Sequence, residues 1–129
     1  LQQEKPEDFV LATGITTTIR DFVKMSFAEL GIELGFRGKE DAEEGFVVKN
    51  NSEYKLEEDK VVVKVDSKYY RPTEVETLLG DATKAKTLLG WEPEISFDQL
   101  VTEMVDYDLA EARLELQTGA LSRKVSELI

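Results

Sequence analysis

The sequence predicts a small mixed α/β domain, and three observations support this class. Short apolar or β-branched runs of strand length occur three times. They are Phe9–Ala12, Phe46–Val48 and Val61–Val65. Apolar residues recur at helical spacing in two longer segments, one after Thr18 and one after Ser96. The chain has 129 residues, which is the length of one domain, so we expect residues 1–129 to form a single domain.

The first predicted elements are a helix end and a strand. Residues 1–5 resemble the last turn of a helix, and Pro6 breaks it. Phe9–Ala12 is a continuous apolar run, which is typical of a buried strand. The segment around Gly14 is predicted to be a loop.

The first complete helix is predicted over Ile19–Leu30. Thr18 is suited to the N-cap, and Asp21 adds negative charge to the first turn. Gly31 is expected to end the helix. Five apolar residues share one face of this helix and should turn toward the core. They are Ile19, Phe22, Val23, Phe27 and Leu30.

The segment after Gly31 predicts strands. Ile32, Leu34 and Phe36 alternate with less apolar residues, as in a half-buried strand. Residues 37–44 are polar and are predicted to form a loop, in which Glu43 and Glu44 read as surface charges. The runs at 46–48 and 61–65 are predicted to pair like a hairpin, with a long solvated connection.

Two helices are predicted in the last third of the chain. Asp81 should cap a short helix over Ala82–Leu89, and Gly90 should end it. Ser96 and Gln99 form a capping box for the longest helix, which is expected to reach about Glu115. Its core-facing stripe is predicted from the helical spacing of Phe97, Leu100, Val101, Met104, Val105 and Leu109. Residues 110–129 are a possible helical tail, interrupted at Gly119.

Composition excludes several classes of function. The net charge of −11 argues against binding to a nucleic-acid backbone. No apolar run is long enough to span a bilayer, and no basic amphipathic segment suits a membrane surface. The absence of Cys and His removes thiolate and imidazole metal sites, and we expect a cytoplasmic protein without a metal.

Arg71 and Glu74 are the candidate ligand-binding residues. Pro72 can begin a helical turn whose free N–H groups lie beside the Arg71 guanidinium, and that combination suits a phosphate. A spacing of three places both side chains on one side of such a turn. Spacing alone, however, favours a surface pair between Arg71 and Glu74. The sequence has no GxGxxG loop and no Tyr-x-x-x-Lys pair, so it shows neither a dinucleotide site nor a catalytic residue.

Three blocks resemble the C-terminal lobe of the extended short-chain dehydrogenase/reductase family. They are Arg71-Pro72-Thr73-Glu74-Val75, Asp81-Ala82-Thr83-Lys84-Ala85 and Leu89-Gly90-Trp91-Glu92-Pro93. Within this family, residues 1–14 and 70–81 are similar to the GDP-mannose 4,6-dehydratases. The likeness extends to about residue 109.

The resemblance implies a fold and a function. The chain would be the small α/β C-terminal lobe, without the Rossmann sheet, and NADP would bind to a separate N-terminal Rossmann lobe. Arg71 would contact the pyrophosphate of GDP-mannose and Glu74 the ribose hydroxyls. The whole enzyme would convert GDP-mannose to GDP-4-dehydro-6-deoxy-D-mannose as a homo-oligomer, whereas these 129 residues alone would be inactive.

Two alternatives remain open at this point. The chain could be the same lobe of another nucleotide-sugar epimerase or dehydratase, or a non-catalytic interaction module of the same fold. With all three blocks present, a nucleotide-sugar site at Arg71 and Glu74 is the favoured interpretation.

Overall fold

A computed structural model describes residues 5–71 and 78–118. Its helices are α1 (Ile19–Glu29), α2 (Thr83–Leu89) and α3 (Phe97–Thr118), and its strands are β1 (Ile32–Arg37), β2 (Glu44–Asn50) and β3 (Val61–Lys64). A 3₁₀ turn at Glu40–Ala42 lies between β1 and β2. The strands form one antiparallel sheet in the order β1-β2-β3. The predicted small mixed α/β class is therefore confirmed.

Helix α1 begins where its cap residue predicts. The Asp21 N–H donates to the Thr18 hydroxyl oxygen at 3.0 Å, which satisfies one of the free donors of the first turn. The buried face is narrower than the apolar pattern predicts, because Ile19 is 79% exposed. Val23, Phe27 and Leu30 pack against the sheet, so the core contact lies on the later turns of the helix.

The sheet supplies the main core. Ile32 and Leu34 of β1 and Val47 of β2 are buried together, as the alternation in β1 predicts. Leu34 lies opposite Val47 across the β1–β2 ladder, and Phe46 lies opposite Val61 in the β2–β3 ladder. The expected hairpin pairing of the two β-branched runs is thus confirmed, whereas the pairing of β1 with β2 was not predicted.

Helix α2 ends and helix α3 begins at the residues that the sequence predicts. Gly90 ends α2 with a φ of +66°, and its N–H donates to the Lys86 carbonyl at 3.1 Å. The capping box is present, since the Ser96 N–H donates to Gln99 Oε1 at 2.9 Å and the Gln99 N–H to Ser96 Oγ at 3.2 Å. Helix α3 runs to Thr118, beyond the predicted end.

The predicted stripe of α3 is only partly correct. Val101 is 1% exposed, but Leu100 and Met104 are each 43% exposed. Helix α3 packs against α1, where the rings of Phe97 and Phe22 meet edge to face at 5.7 Å. One neighbouring helix covers only part of an apolar stripe, so the rest of the stripe stays in contact with solvent.

The strand predicted at Phe9–Ala12 is wrong. The segment forms no ladder within the described residues, and Val10 and Leu11 are 54% and 59% exposed. It lies beside Gly80, where a Cβ would come within 2.5 Å of the Ala12 Cβ. Apolar character favours an extended backbone, but a strand also needs a neighbour whose backbone groups pair with its own.

Several predictions fall outside the described residues. They are the helix end at residues 1–4, the turn at Pro72, the position of Glu74 and the tail from Gly119 to Ile129.

Candidate functional site

Arg71 borders a cavity of about 600 Å³ at one face of the sheet. Its walls come from the start of α1, from β1 and the turn after it, and from β2 and β3 with the segment that follows β3. Its lining residues include Arg20, Phe36, Glu43, Lys64, Tyr70 and Arg71. The volume is in the range of small-ligand pockets. Because Glu74 lies outside the described residues, a joint Arg71–Glu74 site stays a prediction.

A tight turn after β3 places Arg71 at the cavity. The Lys68 N–H donates to Asp66 Oδ1 and the Tyr69 N–H to the Asp66 carbonyl, both at 2.9 Å. An Asp that accepts from the backbone two residues onward stabilises such a turn. The chain therefore folds back toward α1, and Tyr69, Tyr70 and Arg71 all line the cavity.

Tyr69 and Tyr70 also line the candidate site. Tyr69 is largely exposed and Tyr70 is at the boundary of exposure. Burial, followed by the carboxylates of Glu40 and Asp41, raises the pKa of the Tyr70 hydroxyl. Tyr70 therefore stays protonated at neutral pH and can donate a hydrogen bond to a ligand oxygen.

The apolar part of the cavity has an aromatic ring at its wall. Phe36 of β1 lies near two cations, the Arg20 guanidinium at 5.8 Å and the Lys24 ammonium at 5.7 Å from its ring centroid. Aliphatic side chains from α1 and β3, including Val23 and Val63, complete this wall. A mostly apolar cavity with a few polar groups at its rim suits an organic ligand that carries a charged group.

Charges of both signs line the cavity. Arg20, Lys64 and Arg71 are cationic, whereas Glu40 and Glu43 are anionic. The Arg20 Nη2 lies 2.5 Å from Glu43 Oε1, so this pair is neutralised internally. Glu43 was predicted to be a surface charge, yet its side chain is only 22% exposed. Within residues 5–71 and 78–118, Arg71 makes no hydrogen bond or ion pair, which leaves its guanidinium available to an anion.

A second cavity, of about 680 Å³, lies beside α2 but suits an anion less well. Thr13, Gly80, Asp81 and Trp91 are among its lining residues. Its cation Lys86 is paired with Glu92 at 2.8 Å. Thr83 donates its hydroxyl and N–H to Asp81 Oδ1, and these bonds lower the pKa of that carboxyl. We therefore place the candidate site at Arg71, although this cavity is the larger one.

Neither a cluster of metal ligands nor a dinucleotide-binding unit occurs among the described residues. No group of three or more metal-ligating side chains occurs in the described part of the chain. In the same residues, no helix has the length and apolar character to cross a bilayer. The described sheet is antiparallel and contains no strand–glycine loop–helix unit, so these residues do not fit NADP.

Sequence comparisons identify the family. The family model described as GDP-mannose 4,6 dehydratase matches residues 1–104. The chain therefore belongs to the GDP-mannose 4,6-dehydratase family, as the sequence blocks predicted.

Individual relatives carry the same name. The GDP-mannose 4,6 dehydratase of Dictyostelium discoideum is 52% identical over 109 residues, which is 84% of this chain and 28% of that protein. The GDP-mannose 4,6-dehydratase of Vibrio cholerae serotype O1 is 50% identical over 127 residues, or 96% of this chain and 33% of that protein. The human enzyme is 48% identical over 109 residues, which is 84% of this chain and 27% of that protein. The chain thus spans a third or less of the length of these relatives.

Sequence reasoning singled out Arg71 but not Arg20, Phe36 and Glu43, which line the same cavity. Arg71 stands within a recognisable block, whereas the other three are separated from it by 28 or more positions. No local pattern distinguishes Arg20 from any other cation in a first helical turn. Only the packing of α1 against β1, together with the pairing of β1 with β2, brings these residues to one cavity.

Proposed function

We propose that this chain is the nucleotide-sugar-binding portion of a GDP-mannose 4,6-dehydratase, and that the cavity beside Arg71 receives the GDP part of GDP-mannose. The observation that carries the proposal is the Arg71 guanidinium, which borders a 600 Å³ cavity and has no partner among the described residues. The family membership and the names of the relatives support the choice of nucleotide.

In the proposed binding mode, charged and polar side chains contact the diphosphate and the ribose. The planar guanidinium of Arg71 would hold oxygens of the diphosphate by paired hydrogen bonds. Glu74 would accept hydrogen bonds from the ribose hydroxyls. The Lys64 side chain is 72% exposed, and its ammonium pairs loosely with Glu44, at 3.9 Å. It can therefore add positive charge at the same rim. The Tyr70 hydroxyl would donate to an oxygen of the ligand.

The reaction itself would require residues beyond this chain. The complete enzyme would oxidise C4 of the mannose, eliminate water across C5 and C6, and return a hydride to C6, with NADP supplying the redox chemistry. A Rossmann lobe outside these 129 residues would hold NADP, because the described residues do not fit it. Under this proposal the present chain binds and orients the nucleotide and has no turnover of its own. The complete enzyme would be a cytoplasmic homo-oligomer.

Titration of the chain with GDP tests the proposal, using Arg71→Ala and the matched control Arg113→Ala. Both variants lose one arginine. Arg113 lies on α3, does not line the cavity, and pairs with Glu53 at a distance of 2.9 Å. We expect Arg71→Ala to weaken GDP binding about tenfold or more, the cost of losing charge-assisted hydrogen bonds. Arg113→Ala should bind as the unmodified chain does. NMR chemical-shift titration measures both, even when binding is weak.

The same titration separates the alternatives. Equal affinity for GDP, UDP and dTDP would favour another nucleotide-sugar epimerase or dehydratase. GDP binding that survives Arg71→Ala would contradict the proposed site. No binding of any nucleotide would favour the non-catalytic interaction module.

A further inference from the structure

The cavity proposed for a diphosphate contains two carboxylates. Glu40 and Glu43 line it together with Arg71. A free carboxylate in a partly desolvated cavity repels an approaching anion, and the repulsion grows as water is excluded. Any group that compensates part of this negative charge therefore favours an anion site at Arg71.

Arg20 compensates Glu43 directly. Its Nε and Nη2 both reach Glu43 Oε1, at 2.6 Å and 2.5 Å. The guanidinium is held from two sides, since it projects from the first turn of α1 and lies 5.8 Å from the Phe36 ring centroid. Two of its N–H groups are thus committed to a carboxylate of the protein and not to a ligand.

The backbone of Glu43 is anchored beside the cavity. Its N–H donates to the Glu40 carbonyl at 3.2 Å, and its own carbonyl accepts from the Val65 N–H at 3.2 Å. These bonds tie the backbone of Glu43 to the turn after β1 and to the segment after β3. Removing Arg20 would consequently leave an unpaired carboxylate at the wall of the cavity.

We propose that Arg20 is a positioning residue of the nucleotide site, which neutralises Glu43 so that Arg71 can hold a diphosphate. This inference rests on the proposed function. It assigns Arg20 no contact with the diphosphate: its effect on affinity passes through the charge of Glu43. Arg71 is then the cation that contacts the ligand, and the Arg20–Glu43 pair forms a neutral wall beside it.

The proposal predicts a specific rescue. Arg20→Ala should weaken GDP binding about three- to tenfold, the effect of one unpaired charge a few ångströms from an anion in a partly solvated site. Glu43→Gln alone should strengthen GDP binding by a similar factor, because it leaves the Arg20 cation unpaired near the diphosphate. The double variant Arg20→Ala/Glu43→Gln should recover affinity to within about twofold of the unmodified chain.

The experiment is an NMR titration of the 129-residue chain with GDP, repeated with inorganic pyrophosphate and with guanosine. Arg113→Ala is the control for losing an arginine elsewhere. The Arg20→Ala loss should appear with GDP and pyrophosphate but not with uncharged guanosine. A double variant that binds GDP as weakly as Arg20→Ala would overturn the proposal, since Arg20 would then contact the ligand itself. An equal loss for guanosine would overturn it as well, because it would indicate a distorted cavity.

A conservative variant keeps the test decisive if Arg20→Ala does not fold. Arg20→Lys retains the charge opposite Glu43 and should bind GDP within about twofold of the unmodified chain. A loss of tenfold or more in Arg20→Lys, with a normal NMR spectrum, would contradict charge compensation. Failure of the proposed function is recognised separately, since in that case the unmodified chain binds no GDP or Arg71→Ala binds it normally.

Discussion

Gly38 shows how a single residue shapes the wall of the candidate site. It follows β1 and precedes the 3₁₀ turn at Glu40–Ala42, with a φ of +84°. A Cβ at this position would lie within 2.1 Å of the Ala42 carbonyl oxygen. Only glycine therefore allows the turn to close tightly enough to present Glu40 and Glu43 to the cavity.

Gly38→Ala should destabilise the chain far more than Gly14→Ala. Gly14 also has a positive φ, of +73°, but a Cβ there would meet nothing within 4 Å. Gly14→Ala should lower the free energy of unfolding by about 1 kcal/mol, because alanine is strained in the left-handed backbone conformation. Gly38→Ala should lower the free energy of unfolding by about 3 kcal/mol. The added Cβ would clash with the Ala42 carbonyl, and a backbone carbonyl cannot rotate away as a side chain can. Urea unfolding measures both, and equal costs would contradict the steric argument.

Residue-scale predictions succeeded where the chemistry is local. The caps at Thr18 and Ser96 were predicted from residue type and spacing and are confirmed, whereas the ligand role of Arg71 stays a prediction. Glu43 was misread as a surface charge, because nothing next to it in the chain indicates that it faces a cavity.

At the scale of elements, the capping residue predicted for α2 lies one position before the N-cap that the structure shows. Asp81 was predicted as the cap of Ala82–Leu89, whereas the helix begins at Thr83. Asp81 Oδ1 accepts from the Thr83 N–H at 2.9 Å and from its hydroxyl at 2.5 Å. The carboxylate therefore stabilises the first turn, as expected, through a turn that precedes the helix.

The stabilisation by Asp81 should depend on pH. The hydroxyl and N–H of Thr83 lower the pKa of Asp81 below its ordinary value of 3.8. A carboxyl with a lowered folded-state pKa stabilises the fold above its unfolded-state pKa, and the stabilisation is lost as the pH falls through the folded-state pKa. Asp81→Asn keeps the acceptor oxygen but lacks the charge.

Comparison of the unmodified chain with Asp81→Asn checks this prediction. The difference in free energy of unfolding should be constant above pH 5 and should shrink as the pH falls below about 4. Other carboxyl groups titrate in both proteins, so they cancel from the difference. A difference that stays the same down to pH 3 would rule out a role for the Asp81 charge.

Other elements show the limit of pattern reading. Phe9–Ala12 has the composition of a buried strand but no partner strand among the described residues. Helix α3 has the expected apolar stripe, but α1 covers only part of it. In both cases the local preference is right, and the missing condition is a neighbouring element.

For the whole molecule, the dominant feature is a net charge of −11. Several of the described ion pairs are on the surface, including Lys84–Glu7 and Arg113–Glu53. Exposed pairs contribute about 0–1 kcal/mol each, so they offset little of the repulsion among the excess carboxylates. The folded state brings these charges closer together than the unfolded chain does.

Salt should therefore stabilise the chain. Raising NaCl from about 10 mM to about 100 mM shortens the screening length from about 30 Å to about 10 Å, which weakens repulsion between distant carboxylates. We expect the midpoint of urea unfolding to rise. The variant Glu103→Gln/Asp106→Asn, which removes two exposed charges of α3, should start with a higher midpoint and respond less to salt. A midpoint that falls with added salt would indicate that the surface ion pairs dominate.

The sequence alone predicted the helix caps, the alternation of β1, the pairing of the two β-branched runs and the family, and it singled out Arg71, because caps, periodicity and short motifs depend on residues close together in the chain. The tertiary structure decided the rest. It paired β1 with β2, left Val10 and Leu11 exposed, and joined Arg20 and Glu43 to the cavity of Arg71. These outcomes depend on contacts between residues far apart in sequence, and no local preference encodes which distant surfaces will meet.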